Sequence, residues 1–273
     1  MNILDFGTEI ETGEYFLHSD FSSVYNYQKE RQIISLVTRD IGRGPNNIVC
    51  SKLPPDIPTR LEVKSSQIKF GSTTLFFSVE QKSSADFICE DVAKLQLLID
   101  NLSQHLHFST DSLAFILQPS MTRHFTSGFK LALSEHVQES LQKAGNDLAE
   151  IAKRIKGVGF GLTPSGDDFI CGMLYALHYL RPIILDDYQE IIQQVYANSQ
   201  GNNLISNTFL YYAYKNKYYQ NFHEFLSAIS DNNENGIIDA AQKITESGHS
   251  SGSDMLTGFI FTLKEVLNDQ KLG

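Results

Sequence analysis

Gly157-Val158-Gly159-Phe160-Gly161-Leu162-Thr163-Pro164-Ser165-Gly166-Asp167-Asp168-Phe169-Ile170-Cys171-Gly172 is the stretch on which the reading of this chain turns. It opens as a glycine-rich loop and runs on into an apolar helix, Met173-Leu174-Tyr175-Ala176-Leu177. A second stretch, Gly248-His249-Ser250-Ser251-Gly252-Ser253-Asp254-Met255-Leu256-Thr257-Gly258, repeats part of it with Ser251 placed 86 residues after Ser165. It too runs into an apolar helix, Phe259-Ile260-Phe261-Thr262-Leu263, and both copies read S-G-x-D-x-x-G.

The plainest account of each copy is a capping box, with Ser165 or Ser251 as N-cap and Asp168 or Asp254 three residues on. An acid in the first turn also suits the helix dipole. Capping leaves the glycines unexplained. Gly172 and Gly258 sit at matching helix-interior positions, where each costs about 1 kcal/mol relative to alanine. Ser, Asp and Gly at i, i+3 and i+7 share one helix face, so something comes close there, either a helix backbone or a ligand. Two helix N-termini with free N–H groups would suit an anion. The acids Asp167, Asp168 and Asp254 would repel one, and no Lys or Arg lies between Lys156 and Arg181 or between Lys243 and Lys264. The pattern therefore calls for a divalent metal such as Mg²⁺ or Mn²⁺ on Asp167, Asp168 and Asp254, or for a base from elsewhere, Arg43 or Arg60 among them. His249 is a candidate acid–base group or ligand.

Outward from these motifs the texture is helical. Apolar residues recur at helical spacing over 89–106, with Val92, Leu95, Leu98, Ile99 and Leu102 on one face, and similar patterns cover about 130–156, 167–180, 186–198, 203–214, 221–230, 236–246 and 253–268. The first 80 or so residues read differently. Glu14–Leu17, Ser23–Tyr27, Ile33–Val37 and Thr73–Val79 are β-branched or aromatic runs, separated by breakers at Gly42-Arg43-Gly44-Pro45 and Pro54-Pro55-Asp56-Ile57-Pro58. The expected class is α+β, with an N-terminal antiparallel β sheet or small barrel over 1–85 and a mostly helical domain over 86–273. The boundary falls between 85 and 125.

Composition narrows the function classes. The chain has 273 residues, 22 basic and 32 acidic, for a net charge of −10, which argues against a nucleic-acid partner. The three cysteines, Cys50, Cys89 and Cys171, fit neither a disulfide framework nor a zinc pattern. The start lacks a basic segment followed by an apolar one, and Phe169 to Leu180 is too short for a bilayer, so a cytoplasmic setting with no membrane partner is expected. Gly157-x-Gly159-x-Gly161 follows a helical pattern rather than a strand, so no nucleotide cofactor is expected.

Gly159 to Phe169 resembles the signature of the AllH-type family, bacterial proteins that include a subunit of oxamate carbamoyltransferase. Gly248-His249-Ser250-Ser251-Gly252-x-Asp254-x-Leu256-x-Gly258 resembles that family's second motif, and Arg43-Gly44-Pro45 and the helix around Ser206 to Ala213 are similar as well. The resemblance implies a subunit of an assembly, with companion carbamoyltransferase subunits, that interconverts oxalurate plus phosphate with oxamate plus carbamoyl phosphate in allantoin and purine nitrogen catabolism. Asn202-Asn203-Leu204-Ile205-Ser206-Asn207 departs from the family's Thr-Thr-containing helix start, and the chain lacks the Ser-Thr-Arg-Thr loop of ordinary carbamoyltransferases. On this reading Thr163, Ser165, Gly166, Ser250, Ser251, Gly252 and Arg43 contact a small anionic substrate, and His249, Asp168 and Asp254 do the chemistry. The alternatives are a non-catalytic scaffold or ligand-sensing subunit, whose glycine faces would pack on a partner chain, and a stand-alone metal-dependent hydrolase of a small amide or phosphate compound.

Overall fold

The computed structural model describes residues 1–78, 86–89, 91–159, 161–184 and 188–272, the side chains of the last four aside. Val79 of the expected strand and Phe160 of the glycine loop lie outside the described residues. Two compact units emerge: Met1–Ala85 with Lys217–Gln220, and Asp86–Asn216 with Asn221–Gly273.

The first unit is one eight-stranded sheet. Its strands are β1 (Ile3–Phe6), β2 (Gly13–Asp20), β3 (Val24–Lys29), β4 (Gln32–Thr38), β5 (Asn47–Cys50), β6 (Arg60–Val63), β7 (Gln67–Phe70) and β8 (Thr73–Phe76), in the order β1-β5-β4-β3-β2-β6-β7-β8. The sheet curls into a nearly closed barrel-like form, and the rings of Phe6 at one end and Phe77 just past the other stack 3.8 Å apart. Tyr15, Tyr27, Ile34, Leu36, Ile48, Leu61 and Ile68 fill it. Three tyrosine hydroxyls donate to backbone carbonyls: Tyr25 to Pro54, Tyr27 to Pro58 and Tyr15 to Glu11. The proline-rich breaker is thereby tied to the core, and each buried phenol is satisfied. One pairing departs from the antiparallel expectation, because β4 and β5 run parallel, with Leu36 opposite Ile48. Lys217–Gln220 joins this unit through Tyr219 Oη to Asn46 Oδ1 at 2.7 Å and Gln220 N to the Arg43 carbonyl at 2.9 Å. A Cβ on Gly44 would lie 2.5 Å from the Tyr219 ring, which is why that turn needs glycine.

The second unit carries α1 (Val92–His105), two 3₁₀ turns (Leu113–Ile116 and Pro119–His124), α2 (Gly128–Ala144), α3 (Leu148–Ile155), α4 (Ser165–Ile184), α5 (Tyr188–Ser199), α6 (Leu204–Tyr214), α7 (Gln220–Ser230), α8 (Glu234–Thr245) and α9 (Ser251–Leu272). The single helical pattern expected over 130–156 is broken in two. Gly145 takes φ +60° after α2, and Asp147 then caps α3, accepting from the amides of Ala149 and Glu150 at 3.0 Å each. Helix α4 is buried on every side from Ser165 to Leu180, which explains why its sequence is apolar all round rather than striped. Its chief neighbour is α9.

Candidate functional site

The α4–α9 seam is where the two motifs meet. A Cβ on Gly172 would overlap the carbonyl oxygen of Met255 and lie 2.8 Å from the Phe259 amide nitrogen. A Cβ on Gly258 would overlap the carbonyl oxygen of Phe169. Met255 and Phe169 occupy the same place in their respective copies, so the contact is reciprocal about a local pseudo-twofold axis. The face expected to admit a helix backbone or a ligand admits a helix backbone, and each motif's glycine receives the other motif's helix. The partner is this chain itself, which corrects the expectation of glycine faces docking on another chain. Gly166 and Gly252 also serve packing: a Cβ there would overlap the carbonyl oxygen of Ile155 or Ile244, at the ends of the preceding helices.

The capping-box expectation fails the same way in both copies. The amides of Asp167 and Asp168 donate to the Pro164 carbonyl at 2.9 and 3.2 Å, and Asp254 N donates to the Ser250 carbonyl at 2.8 Å. Ser165 and Ser251 therefore lie inside the first turn, and their hydroxyls are released from capping. They turn across the seam. The Ser251 hydroxyl helps hold Asp168, the Ser165 hydroxyl helps hold Asp254, and Thr163 Oγ1 joins the two sides, 2.8 Å from Asp168 Oδ2 and 3.1 Å from Ser251 Oγ. The glycine loop folds down over this point, with positive φ at Gly157, Gly159 and Gly161, and a Cβ on Gly159 would lie 2.9 Å from the Ser165 amide nitrogen.

Both central acids are deeply buried, Asp168 at 3% exposure and Asp254 at 0%. Burial is the largest influence on each. Asp168 is pushed up to about 8, with the Ser251 and Thr163 hydroxyls opposing the rise and the charges of Asp254 and Asp167 adding to it. Asp254 is pushed up to about 7, opposed by the Leu113 amide and by Ser165 and Ser250. Its Oδ1 accepts from Leu113 N at 2.6 Å, while Oδ2 has no hydrogen-bond partner among the described residues. Burial thus favours the protonated form of both central acids, which weakens the objection that their carboxylates would repel an anion.

Other expected residues have other partners. Asp167 accepts from Gly157 N at 2.7 Å, with Ser206 and Lys156 nearby, and burial raises its carboxyl as well. Among the described residues no three His, Cys, Asp or Glu side chains gather as a metal-holding group. The expected ligand set does not fit a Mg²⁺-like ion, because Asp167 is spent on the glycine loop and does not converge with Asp168 and Asp254 as a group of three. His249 is 83% exposed at its side chain, with Nε2 2.8 Å from Asp111 Oδ2 rather than against Asp254. Arg43 belongs to the β-rich unit, where its Nε lies 3.0 Å from Asp5, and Arg60 of that unit pairs with Glu14. The N-terminal amides are partly consumed: Gly166 N donates to the Val158 carbonyl and Gly252 N to that of Ser247. Asp111 and the Leu113 amide are contributors the sequence did not disclose, since 138 residues separate Asp111 from His249.

The family model described as oxamate carbamoyltransferase subunit AllH matches residues 155–263, from the end of α3 to the body of α9. This stretch is AllH-type. The match begins just before the glycine loop and takes in both motifs, so the paired helices of the seam are the frame of the AllH-type region. No solved structure matches the chain. No described helix is long and apolar enough to cross a membrane.

Proposed function

We propose that this chain acts as an AllH-like subunit of a carbamoyltransferase assembly and that the hydroxyl–carboxyl cluster over the α4–α9 seam holds its small anionic substrate. The observation that carries the reading is the Thr163 Oγ1 position, which bridges Asp168 of one motif and Ser251 of the other. A buried carboxyl kept protonated is a hydrogen-bond donor, and with the hydroxyls of Thr163, Ser250 and Ser251 it offers an oxyanion neutral donors. In the proposed reaction a phosphate oxygen bonds to the terminal carbamoyl carbon of oxalurate. The C–N bond to the oxamate nitrogen breaks with its electron pair, and that nitrogen takes up a proton, which balances the one given up by hydrogen phosphate. His249 would carry that proton, and companion subunits would complete the site.

The test uses the chain with its companion subunits, assayed for phosphate-dependent cleavage of oxalurate. Thr163→Val and Ser251→Ala should each lower kcat/KM by about tenfold to a hundredfold, as expected for losing one hydrogen bond to a charged group, with assembly retained on gel filtration. Wild-type kinetics in both variants would sink the reading. A scaffold role is favoured by one specific observation, the complete burial of Asp254, and it predicts lowered stability in the same variants with KM unchanged.

A further inference from the structure

The α9 N-terminus bears a second constellation that lies at the surface. Asp111 Oδ2 is 2.8 Å from His249 Nε2, and its other oxygen pairs with Lys130 of α2. This carboxylate is not carried on a loose loop. The segment that bears it is pinned to the second motif from both sides, by Leu113 N to Asp254 Oδ1 at 2.6 Å and by Ser109 N to Ser253 Oγ at 3.0 Å. Ser112 Oγ closes the turn from within, donating to the Ser109 carbonyl at 2.7 Å. The same motif therefore supplies the imidazole and anchors the carboxylate that meets it.

We infer that Asp111 is the positioning residue for His249, fixing the imidazole with its proton on Nε2 and presenting Nδ1 as the proton-handling atom. A carboxylate accepting from one ring nitrogen sets the tautomer and the orientation of the ring. Lys130 pairs with the other carboxylate oxygen, and its ammonium is the largest influence holding Asp111 below the ordinary range. The buried aspartate of the motif then has a mechanical role: Asp254 holds the Leu113 amide, which sets the height of Asp111 against the ring. The inference rests on the proton-carrying role proposed above for His249.

Asp111→Ala leaves both backbone anchors of the segment in place, so the fold should persist. In the assembled enzyme this variant should lower kcat by about tenfold or more with KM within about twofold of wild type, because general acid–base groups contribute on the order of 100-fold or more when correctly placed. Asp111→Asn, whose side-chain oxygen can still accept from Nε2, should recover part of the loss. Nitrogen-15 histidine spectra of the full chain should show His249 protonated on Nε2 in the wild type and as a tautomer mixture in Asp111→Ala. Wild-type kcat in Asp111→Ala, or a mixed tautomer already present in the wild type, would overturn the inference. Loss of activity in His249→Gln beside an intact Asp111→Ala would remove the positioning role alone. An active His249→Gln would remove both it and the proton-carrying role.

Discussion

Gly172→Ala is the sharpest probe of the seam. The added methyl would overlap the Met255 carbonyl oxygen and lie 2.8 Å from both the Met255 carbonyl carbon and the Phe259 amide nitrogen, against 3.4 Å for ordinary contact. Main chain cannot rotate aside as a side chain can, so α4 and α9 must part by at least 0.6 Å (3.4 less 2.8) and further at the oxygen. Overpacking of this kind costs about 3 kcal/mol, and the better helix propensity of alanine returns about 1 kcal/mol. A net loss of about 2 kcal/mol lowers Tm by roughly 4–8 °C in a unit of this size. Gly258→Ala should cost a similar amount, and the double variant less than the sum, because a seam already parted accepts the second methyl more easily. Urea and thermal unfolding read these differences directly. Gly128→Ala is the control, having nothing within 4 Å of the added carbon. If Gly172→Ala unfolded at or above the wild-type midpoint, the backbone contact and the pseudo-twofold arrangement built on it would be wrong.

Two further outcomes bear on the site and on the helix boundary. Asp168 has its folded-state affinity for a proton raised from 3.8 to about 8, so the folded chain holds a proton that the unfolded chain releases within that window. Its stabilising contribution is complete below about 3.8 and is lost as pH climbs through about 8, with a slope approaching about 1.4 kcal/mol per pH unit. Urea midpoints between pH 6 and 9 should therefore fall in the wild type and fall less in Asp168→Asn, where the amide imitates the protonated acid; identical slopes would show that Asp168 carries no such proton. Asp147→Ala should destabilise by about 1 kcal/mol, since it deprives the Ala149 and Glu150 amides of their cap, and an unchanged unfolding midpoint would mean that α3 does not need it.

Much of the architecture was legible because it is written in local patterns. The strand-first, helix-after texture gave the α+β class; the runs at Glu14–Leu17, Ser23–Tyr27 and Ile33–Val37 fall on β2, β3 and β4, and the described part of Thr73–Val79 begins with β8. The strands overlooked are four residues long. Arg60-Leu61-Glu62-Val63 and Gln67-Ile68-Lys69-Phe70 do alternate, with their apolar members buried, yet two alternations are too few to stand out. The parallel pairing of β5 with β4 depends on contacts across the sheet that no local pattern records. In the site, Gly172 and Gly258 announced a close approach and the repeat suggested that the two copies face each other; that the Met255 and Phe169 carbonyls fill the notches is visible only in the backbone. The serines misled, because a first-turn serine and an N-cap serine look alike until the backbone shows which carbonyl accepts the first helical amide.

The glycine notches have a mechanical consequence. Two helices that touch main chain to main chain at two matched points can neither slide along nor roll about one another without collision. Helices α4 and α9 thus behave as a fixed axle. What the axle carries is registered to it as well: Thr163 Oγ1 reaches Asp168 of one helix and Ser251 of the other, and the Ser250 carbonyl accepts from Asp254 N. The spacing of the hydroxyls and carboxyls at the motif ends is therefore set by the same two main-chain contacts that lock the helices.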